Sequence, residues 1–147
     1  MLSRKAKYGL KAILYLAQVH GKGPVLISDL AAAERIPKKF LEQILLELRK
    51  QGLLFARRGR GGGYELARPP RDITMGSVIR ILDGPLAPVS CVSQTAYRPC
   101  EECLDAKSCG IRLVMQDVRD AMADILDHTD LAAVLLKSES HRKRGED

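Results

Sequence analysis

Residues 36–70 read IPKKFLEQILLELRKQGLLFARRGRGGGYELARPP, and this stretch decides the fold. Its first part has apolar residues at helical spacing, which predicts a helix with a buried stripe. The stripe consists of Leu41, Ile44, Leu45 and Leu48. Pro37 suits the first position of this helix, and Gly52 suits its end. Two short strands, residues 53–57 and 64–67, then predict a β-hairpin beside the helix.

A shorter helix upstream completes a helix-turn-helix. Ser28 and Asp29 suit its start, and it ends near Arg35, so only a short turn separates it from the next helix. In this arrangement the second helix enters the major groove of DNA. Two further helices, residues 4–20 with Ser3 as N-cap and residues 75–82 with Thr74 as N-cap, flank the motif. We expect a mainly α fold with a small β-hairpin, a winged helix-turn-helix.

The exposed face of the second helix carries residue types that pair with bases. Lysine suits guanine acceptors, glutamine suits adenine, and glutamate suits the cytosine amine. The candidate DNA contacts in the two helices are Ser28, Pro37, Lys38, Lys39, Glu42 and Gln43. Because any exposed helix face is polar, the helix alone leaves a structural and a DNA-binding interpretation open.

The turn of the hairpin favours the DNA-binding interpretation. Arginine guanidinium groups are suited to phosphate, and glycines allow close approach of the backbone. The candidate contacts in this wing are Arg57, Arg58, Arg60, Gly61 and Gly62. A nucleotide-binding loop is the rival interpretation, but it requires a helix after the glycines, and here Pro69 and Pro70 follow.

Charge is distributed unevenly along the 147 residues. Residues 1–70 contain 14 Lys and Arg against 5 Asp and Glu, a net charge of +9, whereas residues 71–147 have a net charge of −3. A basic first half indicates a polyanionic partner such as nucleic acid. The alternative, a solvated surface, is less compatible with cations concentrated at the second helix and the wing.

All four cysteines lie within one short segment as C-x8-C-x2-C-x5-C, at Cys91, Cys100, Cys103 and Cys109. Residues 84–109 have no clear helical or strand period, which predicts a long, functional loop. Lys11 interrupts the apolar run near the N-terminus, so we do not expect a secretion signal or a disulfide framework. In a reducing compartment, clustered cysteines are typical of metal binding or redox sensing.

The last long helix, residues 109–127, has a 4-3 apolar repeat. Such a repeat forms a seam for a partner helix. The seam consists of Ile111, Met115, Val118, Met122 and Ile125. Packing against the chain's own core is the alternative, and we expect a homodimer with this helix at its centre. Thr129 is the expected cap of a short helix ending at Leu136.

The expected organisation is therefore a winged helix-turn-helix domain in residues 1–83 and a cysteine-rich sensor loop in residues 84–109. A dimerisation helix with a short terminal helix occupies residues 110–136, and the polar residues 137–147 are predicted to be a disordered tail. No apolar run reaches the ~18 residues that a membrane span needs.

These residues together resemble the Rrf-type bacterial winged-helix regulators, the family of IscR, NsrR, RirA and CymR. The resemblance covers nearly the whole chain and rests on LSRKAKYGLKAILYLA, the recognition segment IPKKFLEQILLELRKQGLL, the wing RGRGGGYELARPP, and ITMGSVIRILDG ahead of the cysteines. It implies a dimeric DNA-binding repressor or activator, and we expect a repressor. We also expect the protein to be cytoplasmic and nucleoid-associated and to bind a near-palindromic double-stranded operator. Control by an iron-sulfur cluster, 2Fe-2S or 4Fe-4S, is implied as well.

By position, the resemblance assigns base contacts to Glu42 and Gln43 and a wing contact to Arg58. It assigns cluster ligation to Cys91, Cys103 and Cys109. Some relatives use a histidine where Arg112 stands here, and others use a carboxylate where Lys7 stands here. We therefore expect Cys100 to be the fourth ligand, because four thiolates commonly hold such clusters. Three cysteines with one open iron site are the alternative.

Two other functions remain open from the residues. The same regulator can bind zinc or form a disulfide instead of holding a cluster. A small iron-sulfur electron carrier is the other possibility. Catalysis has no support, because His20, His128 and His141 are scattered and no nucleophile has an evident base. We therefore expect no enzyme activity, no small-molecule substrate and no membrane partner.

Overall fold

Residues 2–145 are described by a computed structural model and form six helices and one two-stranded sheet. In chain order the elements are α1 (Arg4–Gln18), α2 (Ile27–Glu34), α3 (Lys38–Lys50), β1 (Leu54–Arg57), β2 (Gly63–Leu66), α4 (Met75–Asp83), α5 (Gly110–Asp127) and α6 (Leu131–Gly145). Two 3-10 turns, Pro70–Asp72 and Ser90–Val92, lie in the connections. The predicted mainly α fold with a small hairpin is confirmed.

The core lies where α1, α3 and α4 pack together. All four residues of the predicted α3 stripe are buried, and they meet the buried faces of the other two helices. Gly9 permits the closest approach, because a Cβ at this position would lie 2.1 Å from Cδ1 of Leu82. A side chain larger than hydrogen at this position would therefore force the Leu82 side chain to move.

Local capping explains where two of these helices begin. The Ser3 hydroxyl accepts a hydrogen bond from the backbone N–H of Ala6 at 3.0 Å. The Thr74 hydroxyl accepts one from Ser77 at 3.1 Å. Each bond satisfies an N–H that lacks a partner within the helix, so both predicted N-caps are confirmed.

The hairpin is antiparallel, with Leu54 opposite Leu66 and Arg57 opposite Gly63. The start of β2, close to the turn, is tied to the segment before α2, because the backbones of Val25 and Tyr64 exchange two hydrogen bonds of 2.8 Å. No pattern in the sequence predicts this third strand-like pairing. It fixes the orientation of the wing relative to the helix-turn-helix.

The C-terminal part returns to the winged helix after α5. The backbones around Thr74 and Asp130 pair: Met75 donates to the carbonyl of Thr129 and Leu131 donates to that of Ile73, both at 2.9 Å. Leu131 is fully buried against the core. The start of α6 therefore belongs to the winged-helix unit.

The predicted disordered tail is wrong for residues 137–145, which continue α6. Lysine, arginine and glutamate are good helix formers once a buried first turn has nucleated the helix. Lys143 also pairs with Glu139 one turn earlier. Residues 146 and 147 of the predicted tail lie outside the described residues.

The predicted cap of α6 is wrong as well. The carboxylate of Asp130 accepts the N–H of Ala133 at 2.8 Å, whereas the Thr129 hydroxyl donates to the carbonyl of Ile125 at 2.6 Å. Thr129 therefore completes the end of α5, and Asp130 begins α6.

Candidate DNA-binding face and cysteine pocket

The first two turns of α3 present the predicted base-contacting residues to solvent. Pro37 is the N-cap, and Lys38, Lys39, Glu42 and Gln43 are all exposed. The opposite side of the helix is anchored in the core, so its exposed face is held rigidly. Ser28 is likewise exposed near the start of α2.

The turn between α2 and α3 has a defined conformation. Arg35 adopts a left-handed backbone with φ of 55°, and Ile36 is buried and donates to the carbonyl of Ala31 at 3.0 Å. This conformation redirects the chain within three residues. The two helices therefore keep the fixed crossing that a helix-turn-helix needs.

The tip of the wing exposes Arg58, Arg60 and Gly61. Gly62 differs from them, because it is buried and donates to the carbonyl of Gly59 at 3.0 Å. A Cβ on Gly62 would lie 2.4 Å from the carbonyl oxygen of Arg57. Gly62 therefore lies on the inner side of the turn, where its N–H closes the turn and a Cβ would not fit.

Arg57 has a partner within the hairpin. Its Nε lies 3.0 Å from Oε1 of Glu65, although 67% of the arginine side chain remains exposed. The ion pair partly neutralises this guanidinium. Of the three wing arginines, Arg57 is thus the least available to phosphate.

All four cysteines line one pocket, with a volume of about 590 Å³. The other lining residues include Tyr97 and Pro99 from the loop and Ile111 and Arg112 from the first turn of α5. The structure thus brings together cysteines that are up to 18 positions apart in the sequence. Cys100 is exposed, and the other three are half-buried.

Different local structures hold the cysteines. Cys91 lies in the 3-10 turn whose last residue, Val92, is buried, and Cys109 is the N-cap of α5. The N–H of Cys103 donates to the carbonyl of Cys100 at 3.3 Å. Two cysteines therefore lie at packed positions, and two lie on a locally closed turn.

Asp105 stabilises the chain between Cys103 and Cys109. Its carboxylate accepts hydrogen bonds from the Ser108 hydroxyl at 2.8 Å and from the Lys107 N–H at 3.0 Å. The bond from Ser108, and then that from Lys107, lower the pKa of Asp105. The carboxylate is engaged within its own turn.

Crowding of sulfur atoms affects Cys103. Desolvation raises the pKa of its thiol, and the neighbouring Cys109 and Cys100 raise it further, while a backbone N–H at Asp105 acts in the opposite direction. Like charges in one pocket oppose ionisation of several thiols together. A bound cation favours the thiolate forms of its ligands.

The donor types in the pocket fit an iron-sulfur cluster or zinc, both of which bind thiolates. Within residues 2–145, however, no three Cys, His, Asp or Glu side chains are close enough together to hold one metal ion. For the four sulfurs to bind one zinc ion, the loop must therefore close further.

Arg112 is the cation that lines this pocket. Its Nε is buried and has no hydrogen-bond partner, while Nη1 donates weakly to the carbonyl of Ala106 at 3.4 Å. A guanidinium is protonated at all ordinary pH values and carries no lone pair for a metal. Arg112 therefore contributes positive charge to the pocket and is not a ligand.

The predicted seam on α5 faces solvent in the protomer. The exposed fraction is 71% for Ile111, 38% for Val118 and 64% for Ile125, while Met115 and Met122 are half-buried. No residue of α5 is classed as buried. The helix thus displays an apolar surface that begins beside the cysteine pocket.

Comparison with known proteins identifies the class of molecule. Residues 2–137 match the Rrf2 family, described as "Iron-dependent Transcriptional regulator". The chain belongs to the Rrf2 family. An Rrf2-like HTH-type transcriptional regulator of Rhodobacter capsulatus is 40% identical over 150 residues, with both chains fully covered. Rrf2 proteins of this kind are DNA-binding transcriptional regulators and not enzymes.

Solved structures agree with the Rrf2 assignment. CymR of B. subtilis, titled a global cysteine regulator, is 35% identical with a TM-score of 0.75, covering 91% of this chain and 95% of that one. IscR of T. potens is 33% identical with a TM-score of 0.76, covering 96% and 90%. Among residues 2–145, no helix has the length and apolar character that crossing a membrane requires.

Proposed function

We propose that this Rrf2 regulator is a homodimeric repressor that binds a near-palindromic operator with an affinity set by an iron-sulfur cluster. The cluster ligands are Cys91, Cys100, Cys103 and Cys109. The observation that carries the proposal is that these four cysteines line one pocket at the start of the apolar helix α5. DNA-binding regulation is the function of the family. For this chain we propose, in addition, the cluster, the homodimer, the repression and the cytoplasmic location.

The DNA-binding face supplies both base contacts and phosphate contacts. Glu42 and Gln43 lie exposed on α3 for base edges, while Lys38, Lys39 and the wing arginines provide positive charge. Each neutralised phosphate releases counterions, so binding weakens steeply as salt concentration rises. A dimer with two such faces suits half-sites about one helical turn of DNA apart.

Dimerisation through α5 explains its exposed seam. Ile111 and Ile125 lie four turns apart on this helix, and both are mostly exposed in the protomer. An apolar stripe with 4-3 spacing is buried by a second helix of the same pattern. The two recognition helices would then be held at a separation set by the α5 pair.

The link from α5 to the winged helix is a bidentate ion pair. Arg80 of α4 donates through Nη1 to Oδ1 of Asp127 at 2.5 Å and through Nη2 to Oδ2 at 2.8 Å. These hydrogen bonds, and then the attraction between the charges, raise the pKa of Arg80 and lower that of Asp127. Gly76 allows this approach, because a Cβ there would lie 2.1 Å from Oδ1 of Asp127.

A bound cluster would supply sensitivity to iron supply, redox state or nitric oxide. The chain's own part is to hold Cys91 and Cys109 at the two ends of the loop and Cys100 and Cys103 on the turn between them. A change in how the turn closes is passed to α5 and, through Arg80 and Asp127, to the winged helix. Rotation of the recognition helices then changes their fit to the half-sites.

The deciding experiment is purification without oxygen, followed by measurement of iron, sulfide and operator affinity in the loaded and metal-free protein. We expect a brown protein whose two forms differ at least tenfold in affinity, about 1.4 kcal/mol. A colourless protein with neither iron nor sulfide would exclude the cluster. Equal affinity of the two forms would exclude control by it.

The role of Cys100 is tested by Cys100→Ser, with Cys103→Ser as the matched variant that should lose the cluster in either case. If Cys100 is the fourth ligand, its replacement changes the visible spectrum and shortens the lifetime of the cluster. An unchanged spectrum and lifetime would assign the fourth position to another group and leave three cysteine ligands.

The second candidate is a thiol or zinc switch of the same fold. It is favoured by the position of Cys103 beside Cys100 and Cys109 in one pocket. Zinc content in a colourless protein would support metal binding of this type. A mass loss of two hydrogens after mild oxidation, reversed by dithiothreitol, would support a disulfide.

A further inference from the structure

We propose that Arg119 is the positioning residue that fixes the Cys91 turn to α5. The inference rests on the proposed cysteine site, which it deepens by naming the contact that sets the place of one ligand. The Cys91 turn consists of Ser90–Val92 and of the residues whose hydrogen bonds close it, Val89, Ser93 and Arg98.

The geometry around Arg119 is specific. Nη1 donates to the carbonyl oxygen of Val92 at 2.7 Å, and only 17% of the arginine side chain is exposed. Its Nε and Nη2 donate to Oδ1 of Asp120 at 2.9 and 2.8 Å. Asp120 therefore holds one side of the guanidinium, and Nη1 on the other side holds the carbonyl of Val92.

The Cys91 turn is closed by its own hydrogen bonds. Val92 donates to Val89, while Ser93 and Arg98 both donate to the carbonyl of Ser90, all at 3.2 Å. Val92 is 2% exposed and packs beneath the turn. Because the turn is internally closed, a bond at the Val92 carbonyl fixes the whole turn, including Cys91.

Cys109 is attached to the same helix at a different point. It is the N-cap of α5, ten residues before Arg119, which corresponds to about 15 Å along a helix. Helix α5 thus fixes Cys109 through the covalent chain and Cys91 through the hydrogen bond from Arg119 to Val92. Cys100 and Cys103 lie on the chain between these attachments, so Arg119 governs how far apart the two ends of the ligand set stand.

The test measures the accessibility of Cys91 in metal-free, reduced protein. In a background with Cys100, Cys103 and Cys109 replaced by serine, iodoacetamide reacts at Cys91 alone. We expect Arg119→Gln to raise the alkylation rate roughly tenfold, as loss of a charged hydrogen bond allows the turn to open. Arg119→Lys, which keeps a positively charged donor group, should restore part of the protection.

Two controls separate positioning from general stability. Asp117→Asn removes an exposed carboxylate of α5 that does not hold Arg119, and it should leave the rate at Cys91 nearly unchanged. In a second background that retains only Cys109, Arg119→Gln should not change the alkylation rate. An unchanged rate at Cys91, or an equal increase at Cys91 and Cys109, would overturn the proposal.

The same variants in the four-cysteine protein connect the inference to the proposed function. Arg119→Gln should shorten the lifetime of a reconstituted cluster, whereas Asp117→Asn should not. If wild-type protein assembles no cluster, the proposed function fails, but the alkylation result stands on its own. If a cluster assembles and the Cys91 rate is unaffected by Arg119→Gln, only the positioning role fails.

Discussion

The winged helix and the α5 region use similar amphipathic helices in opposite ways. In α3, the four stripe residues Leu41, Ile44, Leu45 and Leu48 are all 0% exposed. In α5, the corresponding seam leaves Ile111 71% and Ile125 64% exposed, and no residue of the helix is buried. The apolar stripe of α3 is buried within the protomer, whereas the stripe of α5 remains largely exposed.

This difference separates the part of the protomer that is stable by itself from the part that we expect to be completed by assembly. The winged helix has its own core, so its DNA-binding face is held by packing within the chain. The α5 region is held by a few directed contacts, among them Arg80 with Asp127 and Arg119 with Val92. We infer that a second copy and a ligand at the cysteines complete this region.

The largest effect is expected when charge is placed in the α5 seam. Val118→Asp should leave the protomer folded, because this residue is already 38% exposed. An uncompensated buried charge costs about 3–5 kcal/mol, which predicts a dimer at least about 100-fold weaker. Analytical ultracentrifugation measures the change, with the exposed Asp117→Asn as control. A Val118→Asp protein that dimerises normally would remove α5 from the interface.

The core of the winged helix is tested within α3. Leu45→Ala removes a fully buried side chain and should lower the free energy of unfolding by about 2–5 kcal/mol. Leu46→Ala, on the same helix but 41% exposed, should cost much less. Urea unfolding compares them. Equal losses of unfolding free energy in Leu45→Ala and Leu46→Ala would contradict the contrast between the buried and exposed faces of α3.

The wing should show a graded dependence on its arginines. Arg60→Ala removes an exposed guanidinium and should reduce the slope of log affinity against log salt by about 0.9 for each lost phosphate contact. Arg57→Ala should change the slope less, because Arg57 is already paired with Glu65. Fluorescence anisotropy with an operator duplex measures both. An Arg57 effect as large as that of Arg60 would show that DNA breaks the ion pair.

The smallest effect is expected at the junction between α4 and α5. Arg80 lowers the pKa of Asp127, so the ionised carboxylate stabilises the fold above its unfolded pKa, and this stability is lost on acidification. Because both side chains are more than a third exposed, Asp127→Asn should cost only about 0.5–1 kcal/mol at neutral pH.

The same variant has a defined pH dependence. The difference from wild type should narrow as the pH falls below about 4, the unfolded pKa of aspartate, and vanish below the folded pKa. Thermal unfolding at several pH values measures it, with Asp117→Asn as a matched control on α5. A difference that persists in acid would indicate a packing effect at Asp127 instead of an ionic one.

Much of the winged helix could be predicted because its signals are local. The Ser3 and Thr74 caps, the α3 stripe and the arginine-rich hairpin depend on neighbours within a few residues. The end of α6 was mispredicted because polar composition was interpreted as disorder. Its lysines, arginines and glutamate propagate a helix that the buried Leu131 anchors.

The sequence by itself determined a mainly α DNA-binding fold, its basic face and the cysteines as a candidate sensor, since periodicity, turn chemistry and charge are local properties. Only the tertiary structure decided that all four cysteines line one pocket and that Arg112 adds positive charge there. It also decided that Arg119 holds the Val92 carbonyl, 27 residues earlier in the chain. Such contacts depend on how α5 packs against the loop, and no spacing in the sequence specifies that packing.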